Sequence, residues 1–280
     1  MSSGDAPTGV GKTALGVAMV RAEESRRRDR LFDDPYAAAF LAAAPEVFAP
    51  EQRAAATGGS GMAGLGRTFW SLAVIRTRFF DDYLLGAVEQ GVRQVVLLAA
   101  GLDTRAYRLA WPADVHLFEV DLPDVVSFKE RVLAERAAVP SCVRTAISSD
   151  LRGDWTGPLI GGGFQPAEPT AWLLEGLLVY LSAGEAAHLL TTVGDLSAPA
   201  SRVACEFENL EDDSMRAQAR TMPAMAEYTA MWKRGLPDVP GWLAAHGWRP
   251  ELHNRAAVGA GYGRAIAGDS AGGFVTATRA

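Results

Sequence analysis

Four short segments of this 280-residue chain hold residue types suited to gripping a nucleoside-like ligand. The first is Ala99-Ala100-Gly101-Leu102-Asp103-Thr104-Arg105, directly after the apolar run Gln94 to Ala100. A glycine-bearing loop after the first strand of a sheet lets a ligand approach backbone, and the helix that follows offers free N–H groups. The second is Glu119-Val120-Asp121, with Asp121 twenty residues after Gly101. An acid at that distance stands at the tip of the next strand and can accept from both ribose hydroxyls. The ordinary alternative for this pair is a loop glycine and a solvated acid.

The third segment is Ser149-Asp150-Leu151, after a further strand. Asp150 can accept from an exocyclic amine and Leu151 can pack on a ring, although an Asp here also reads as a turn signal. The fourth runs Glu175-Gly176-Leu177-Leu178-Val179-Tyr180-Leu181. A glutamate amid WLLEGLLVYL is costly to bury uncompensated, so it needs a partner. Its strand-end position points it at the same crevice, with a structural salt bridge as the plainer reading. Tyr180 can hydrogen-bond a substrate or can simply pack.

The glycine pattern narrows the ligand. AAGLDT lacks the G-x-G-x-x-G that cradles a dinucleotide pyrophosphate, which speaks against an NAD-linked oxidoreductase. Without a pyrophosphate fewer glycines are needed, which favours S-adenosylmethionine. Ala6 to Thr13 (APTGVGKT) matches a phosphate-binding loop in letters. Such a loop must follow a buried strand, and only MSSGD precedes it, so an NTPase is set aside.

These residues need a scaffold, and the middle of the chain supplies one by alternation. Strands are expected at 94–100, 115–120, 143–147, 170–174 and 202–207, with helices at 122–138 and 183–196 between them. Such alternation implies βαβ units and a parallel sheet. Two more strands, 248–254 and 273–278, end the chain. Helices are expected at 13–28, capped by Thr13, at 35–44 and at 67–92, and residues 208–247 look helical. The expected fold is α/β: a doubly wound, mostly parallel seven-stranded sheet with a helical cap, forming a single domain over 1–280. Its parts are an N-terminal helical portion of the cap (13–92), a cofactor-binding core (93–207), a helical cap insertion (208–247) and C-terminal strands (248–280). Residues 57–66 carry five glycines and read as a connector or a mobile lid.

Composition excludes several classes. Hydrophobic residues make up 49% of the chain, ample for a core, and the formal net charge is −6. No basic face marks a nucleic-acid binder, and no apolar run is long enough to span a membrane. The mixed cluster Arg21 to Arg30 reads as a solvated helix face. Cys142 and Cys205 have no metal-ligand or redox spacing, so no metal is expected and a reducing, cytoplasmic setting is. Oligomeric state is not readable.

Taken together, TALGVAMVRAEESRRRDRLFDDPYA (13–37), IRTRFFDDYL (75–84), VVLLAAGLDTRAYRL (95–109), FEVDLP (118–123), SSDLRGDW (148–155) and PTAWLLEGLLVYL (169–181) resemble the leucine carboxyl methyltransferase family. MWKRGL…WLAAHGW (231–248) extends the resemblance over nearly the whole chain, to the bacterial carboxyl O-methyltransferases of the polyketide-tailoring type. The resemblance implies the class I methyltransferase sheet and S-adenosylmethionine as cofactor. It assigns Arg76, with Arg78 as rival, to the methionyl carboxylate, Ala99 and Gly101 to the glycine loop, and Asp121 to the ribose. Asp150 and Leu151 fall on the adenine and Glu175 on the methionyl amino group. Family members commonly have glycine where Ala99 stands, a change tolerable if φ is negative there. A basic residue of the first helix also touches the cofactor in the family, and Arg21 is a candidate.

The expected reaction is methylation of a carboxylate on a small molecule or peptide. Hydroxyl or amine acceptors, and a non-catalytic cofactor-binding protein, are the alternatives. A carboxylate is ionised at neutral pH and needs no base, and none of His116, His188, His246 and His253 suggests one. Trp70, Met222, Met225, Tyr228 and Trp232 hint at a bulky, partly apolar acid.

Overall fold

An apolar strand without polar alternation needs cover on both faces, and Gln94–Leu98 is such a strand, buried at all five positions. The computed structural model describes residues 6–47, 65–208, 229–233, 235–264, 266 and 272–280. The strands are β1 (Gln94–Leu98), β2 (His116–Asp121), β3 (Val143–Ser148), β4 (Thr170–Leu174), β5 (Arg202–Glu208), β6 (Trp248–Asn254) and β7 (Gly272–Arg279). They form one seven-stranded sheet in the order β3-β2-β1-β4-β5-β7-β6. β1 pairs in parallel with β2 and β4, β2 with β3, and β4 with β5, while β7 runs antiparallel to β5 and β6. The chain reverses its direction across the sheet between β1 and β4, and a crevice outside the strand carboxyl ends belongs at that switch.

Two cores follow from strand alternation. Val96, Leu98, Trp172 and Leu174 pack on one face with Trp155, Leu189 and Val193. Val95, Leu97, Ala171 and Leu173 pack on the other with Ile75, Phe80 and Leu84. The helices are α1 (Thr13–Ser25), α2 (Ala37–Ala43), α3 (Leu65–Glu89), α4 (Arg105–Arg108), α5 (Pro123–Glu135), α6 (Thr156–Gly161), α7 (Ala183–Asp195), α8 (Val239–Ala245) and α9 (Arg255–Gly261). No helix among the described residues is long and apolar enough to cross a membrane.

The strand expectations hold to within two residues. Thr13 is not a cap: a 3-10 turn, Gly9–Lys12, runs straight into α1, and Lys12 at the cap position makes no side-chain cap bond. The loop-like APTGVGKT segment instead anchors α1 on α5, with the Thr8 N–H and hydroxyl donating to Asp124. The cluster at 21–30 is not wholly solvated. Arg21 and Glu24 are buried, Glu24 accepting from the Leu31 N–H and from Arg264. Helices α4, α6 and α9 are four to seven residues long, too short to leave a periodic signal. The segments 48–64 and 209–228, with most of the glycine-rich stretch and with Met222, Met225 and Tyr228, lie outside the described residues.

Candidate functional site

Asp121 ends β2 and turns back to the loop after β1. Its Oδ2 accepts from the Gly101 N–H and its Oδ1 from the Leu122 N–H at 2.7 Å. Burial pushes its carboxyl above the usual range, against the pull of these two bonds. Gly101 has φ +54°, the left-handed region, and a Cβ there would lie 3.1 Å from Ala14 Cβ in α1. The bend therefore wants glycine twice over, for its dihedral and for the close approach of α1.

Ala99 does not meet the condition under which alanine is easily tolerated there: its φ is also +54°. An alanine in this region costs about 1–2 kcal/mol in backbone strain, so the loop holds a strained residue where the resemblance implies glycine.

The N-terminal helices are fastened to this loop. Asp34 Oδ2 accepts from Arg21 Nε and from Thr104 Oγ1, each at 2.8 Å, and Arg21 also donates to the Leu102 carbonyl. Arg21 thus holds α1 against the loop. Arg78, the rival of Arg76, donates to Asp82 and to the Leu31 carbonyl.

Arg76 reaches the ends of β4 and β5. Its Nε donates to Glu175 Oε1 at 2.9 Å and its Nη1 to Glu206 Oε1 at 3.0 Å. The other Glu175 oxygen lies 2.8 Å from Arg105 Nη1, and Arg105 also bonds Asp81 at 2.7 Å and pairs with Asp103. Arg108 closes the chain with two 2.6 Å bonds to Asp81. Burial raises the Glu175 carboxyl, but Arg105 and Arg76 outweigh it and hold the group below its ordinary value. The guanidinium of Arg76 is held above its ordinary value despite burial by Glu206 and Glu175.

At the far tip, Asp150 accepts from the Arg152 N–H, Nε and Nη2 at 2.9, 3.0 and 2.6 Å, so its carboxylate is engaged at the surface. Leu151 packs against the core beneath. Tyr180 lies half-buried in the 3-10 turn Leu178–Tyr180, and its hydroxyl makes no hydrogen bond among the described residues. Two later residues are bonded to this turn, the Lys233 N–H donating to the Val179 carbonyl and the Gly235 N–H to the Leu181 carbonyl. Trp232 is half-buried there, and its indole N–H has no partner among the described residues. Trp70 is covered by Arg27, whose guanidinium sits 5.4 Å from the ring centre.

The structure therefore brings Ala99, Gly101, Asp121 and Glu175 to the tips of three neighbouring strands, with Arg76 across from Glu175. It adds Arg105 and Glu206, which sequence reasoning missed. Only Glu206 had a signal: it stands among apolar residues in the strand RVACEFE, the same anomaly that marks Glu175, whereas Arg105 opens a four-residue helix too short to leave one.

Comparison with known proteins adds a second line. A family model described as leucine carboxyl methyltransferase matches residues 14–194. A protein of Parafrankia sp. described as an S-adenosyl-L-methionine-dependent methyltransferase is 50% identical over 278 residues, covering 97% of this chain and 88% of its own. A Frankia alni protein of the same description is 48% identical over 284 residues, covering 98% of this chain and 96% of its own. Among solved structures, a methyltransferase from Thermobifida fusca superposes with a TM-score of 0.56 at 18% identity, covering 86% of this chain and 92% of that one. That last likeness speaks for the fold.

Proposed function

The chain belongs to the leucine carboxyl methyltransferase family and is an S-adenosylmethionine-dependent methyltransferase; from that premise we propose that it methylates a carboxylate oxygen of a small molecule or peptide, forming a methyl ester. The donor set of the crevice fits the cofactor. Asp121 would accept from the ribose hydroxyls, beside the Gly101 bend that a Cβ would crowd. Arg76 would take the methionyl carboxylate and Glu175 the ammonium group. Leu151 would pack on the adenine, with Asp150 accepting from its amine once it shares Arg152. The bound cofactor supplies a methyl group activated by its sulfonium charge.

The observation that carries the carboxylate reading is where the histidines stand. None of the four lies on the loops that follow β1, β2, β3 or β4. His116 and His253 are bonded to Thr145 and Thr276, and His246 to the Trp242 carbonyl. A hydroxyl or ammonium acceptor would need a base near the transferred methyl, whereas a carboxylate, with a usual pKa of about 4, arrives ionised. The chain's task is then alignment and exclusion of water. Tyr180 and Trp232, each with an unpaired donor beside the β4 loop among the described residues, would orient the acid.

The test is transfer from S-adenosylmethionine carrying a labelled methyl to a panel of aromatic and aliphatic carboxylic acids. Base-labile label in the product is the expected result. Base-stable label would point to an ether or amine and overturn the ester reading.

A further inference from the structure

Glu206 lies in β5 beside β4, and the register sets Leu174 opposite Cys205. One residue further on, Glu175, just past the end of β4, stands abreast of Glu206 inside β5. A single guanidinium, Arg76, spans both at 2.9 and 3.0 Å. The two carboxylates are not equally supplied. Glu175 meets a second cation, Arg105, at 2.8 Å, while the second Glu206 oxygen accepts only the Gly176 N–H, at 2.7 Å, among the described residues. The charged groups acting on Glu206 are Arg76 from α3, Glu175 from the β4 tip and Arg255 from α9; the Phe274 position pairs with it from β7. Burial first, then the charge of Glu175, pushes the Glu206 carboxyl above its ordinary value against the pull of Arg76.

Arg76 still has Nη2 to offer, and no described residue takes a hydrogen bond from it. The proposed docking of the cofactor carboxylate on Arg76, on which this inference rests, puts three carboxylates around one guanidinium in a largely buried site, while the ligand's own ammonium goes to Glu175 and leaves Glu206 to share Arg76. Like charges so close cannot all stay ionised cheaply. Glu175 keeps Arg105 and stays charged; among the described residues Glu206 has no second cation hydrogen-bonded to it, Arg255 acting on it by charge alone. We propose that Glu206 is a positioning residue that holds Arg76 ready and takes up a proton when the cofactor carboxylate docks, coupling cofactor binding to proton uptake.

The test is calorimetric titration of the full chain with S-adenosylhomocysteine, in two buffers of different ionisation enthalpy, between about pH 5 and about pH 8. 5′-Methylthioadenosine, which lacks the amino-acid end, is titrated in parallel. The expected result is a net uptake of up to about one proton per S-adenosylhomocysteine, fading toward the alkaline end of the range as Glu206 stays ionised in both states. Methylthioadenosine should bind with no uptake. In Glu206→Gln, binding should persist and uptake vanish. Equal proton counts for the two ligands in the wild type would overturn the proposal even if that variant does not fold, and so would uptake that survives in a folded Glu206→Gln protein. Arg76→Gln separates the underlying reading. If it weakens S-adenosylhomocysteine by tenfold or more (about 1.4 kcal/mol) and methylthioadenosine little, Arg76 does bind the carboxylate, and a missing uptake condemns only the role of Glu206. If both ligands weaken equally, the carboxylate docks elsewhere and both ideas fall.

Discussion

At the β4–β5 end of the crevice, Arg105 is 2% exposed and touches Asp81, Asp103 and Glu175, while Arg76 ties Glu175 to Glu206. At the β3 end, Asp150 and Arg152 are 40% and 64% exposed and have each other. Both ends place an acid at a strand tip, yet the physics differs. A buried charge cannot fall back on water, so each member of the Arg105 network depends on the next. A surface pair can dissolve into solvent at almost no cost. The first end is a fixed frame, suited to the charged amino-acid part of a ligand. The second can rearrange, and suits an adenine that needs one acceptor and an apolar floor.

The widest separation between the ends should come from Arg105→Met. It leaves Asp103 without a cation in contact and strips Glu175 of one of its two. Breaking a buried network by removing one partner costs about 3–5 kcal/mol. A urea titration followed by circular dichroism should show the midpoint falling accordingly, with binding of S-adenosylhomocysteine lost or severely weakened. A loss under about 1 kcal/mol would mean that the network is no frame and would erase the contrast.

Asp121→Ala probes the middle of the crevice. The carboxylate accepts two backbone N–H bonds and would add two ribose hydroxyls. Hydrogen bonds to a charged group contribute about 1.5–3 kcal/mol each, so with both ribose bonds lost cofactor affinity should fall by about a hundredfold or more in calorimetry. Stability should suffer less, because water can reach the freed N–H groups of Gly101 and Leu122, which are only half-buried. Unchanged affinity would remove Asp121 from the site.

How far these regions were legible in the sequence follows from what local pattern can encode. β1 and β4 announce themselves because a doubly covered strand must be apolar throughout. Asp121 is legible because its spacing from Gly101 is the length of one turn, helix and strand. Glu175 is legible because an acid in an apolar run demands a partner; Glu206 sends the same signal from a strand that otherwise reads as plain core. The identity of the partners is not local. Arg105 meets Asp81 across 24 residues, and Arg76 meets Glu206 across 130, pairings that exist only once α3 lies on the sheet. Arg78 stands two residues from Arg76 in the bare chain, and only packing shows that Arg78 pairs with Asp82 while Arg76 reaches Glu175 and Glu206. The positive φ of Ala99 is likewise a property of the bend, invisible in the residue.

Asp150→Ala should have a small effect, which is what the exposed end predicts. Folding stability should stay within about 0.5 kcal/mol of the parent, as for other surface pairs. Cofactor affinity should drop only a few-fold, through loss of one acceptor for the adenine amine. A drop as large as that of Asp121→Ala would show that the β3 end is held as rigidly for its ligand as the middle of the crevice.

Ala99→Gly tests the seam between the two ends, and its expected effect is the smallest because two terms oppose. Glycine removes about 1–2 kcal/mol of strain at φ +54°, but it gives the unfolded chain more freedom, which costs about 0.5–1 kcal/mol. The net should be a gain of about half a kcal/mol in a urea titration. Any improvement in S-adenosylhomocysteine affinity should be similarly slight, since the backbone N–H of Gly101 is already set by Asp121. If the glycine variant were less stable, Ala99 would have to be making packing contacts worth more than its strain. The partly buried methyl, which packs on the core of the β1–β4 face, would then be what holds the bend in register with both ends.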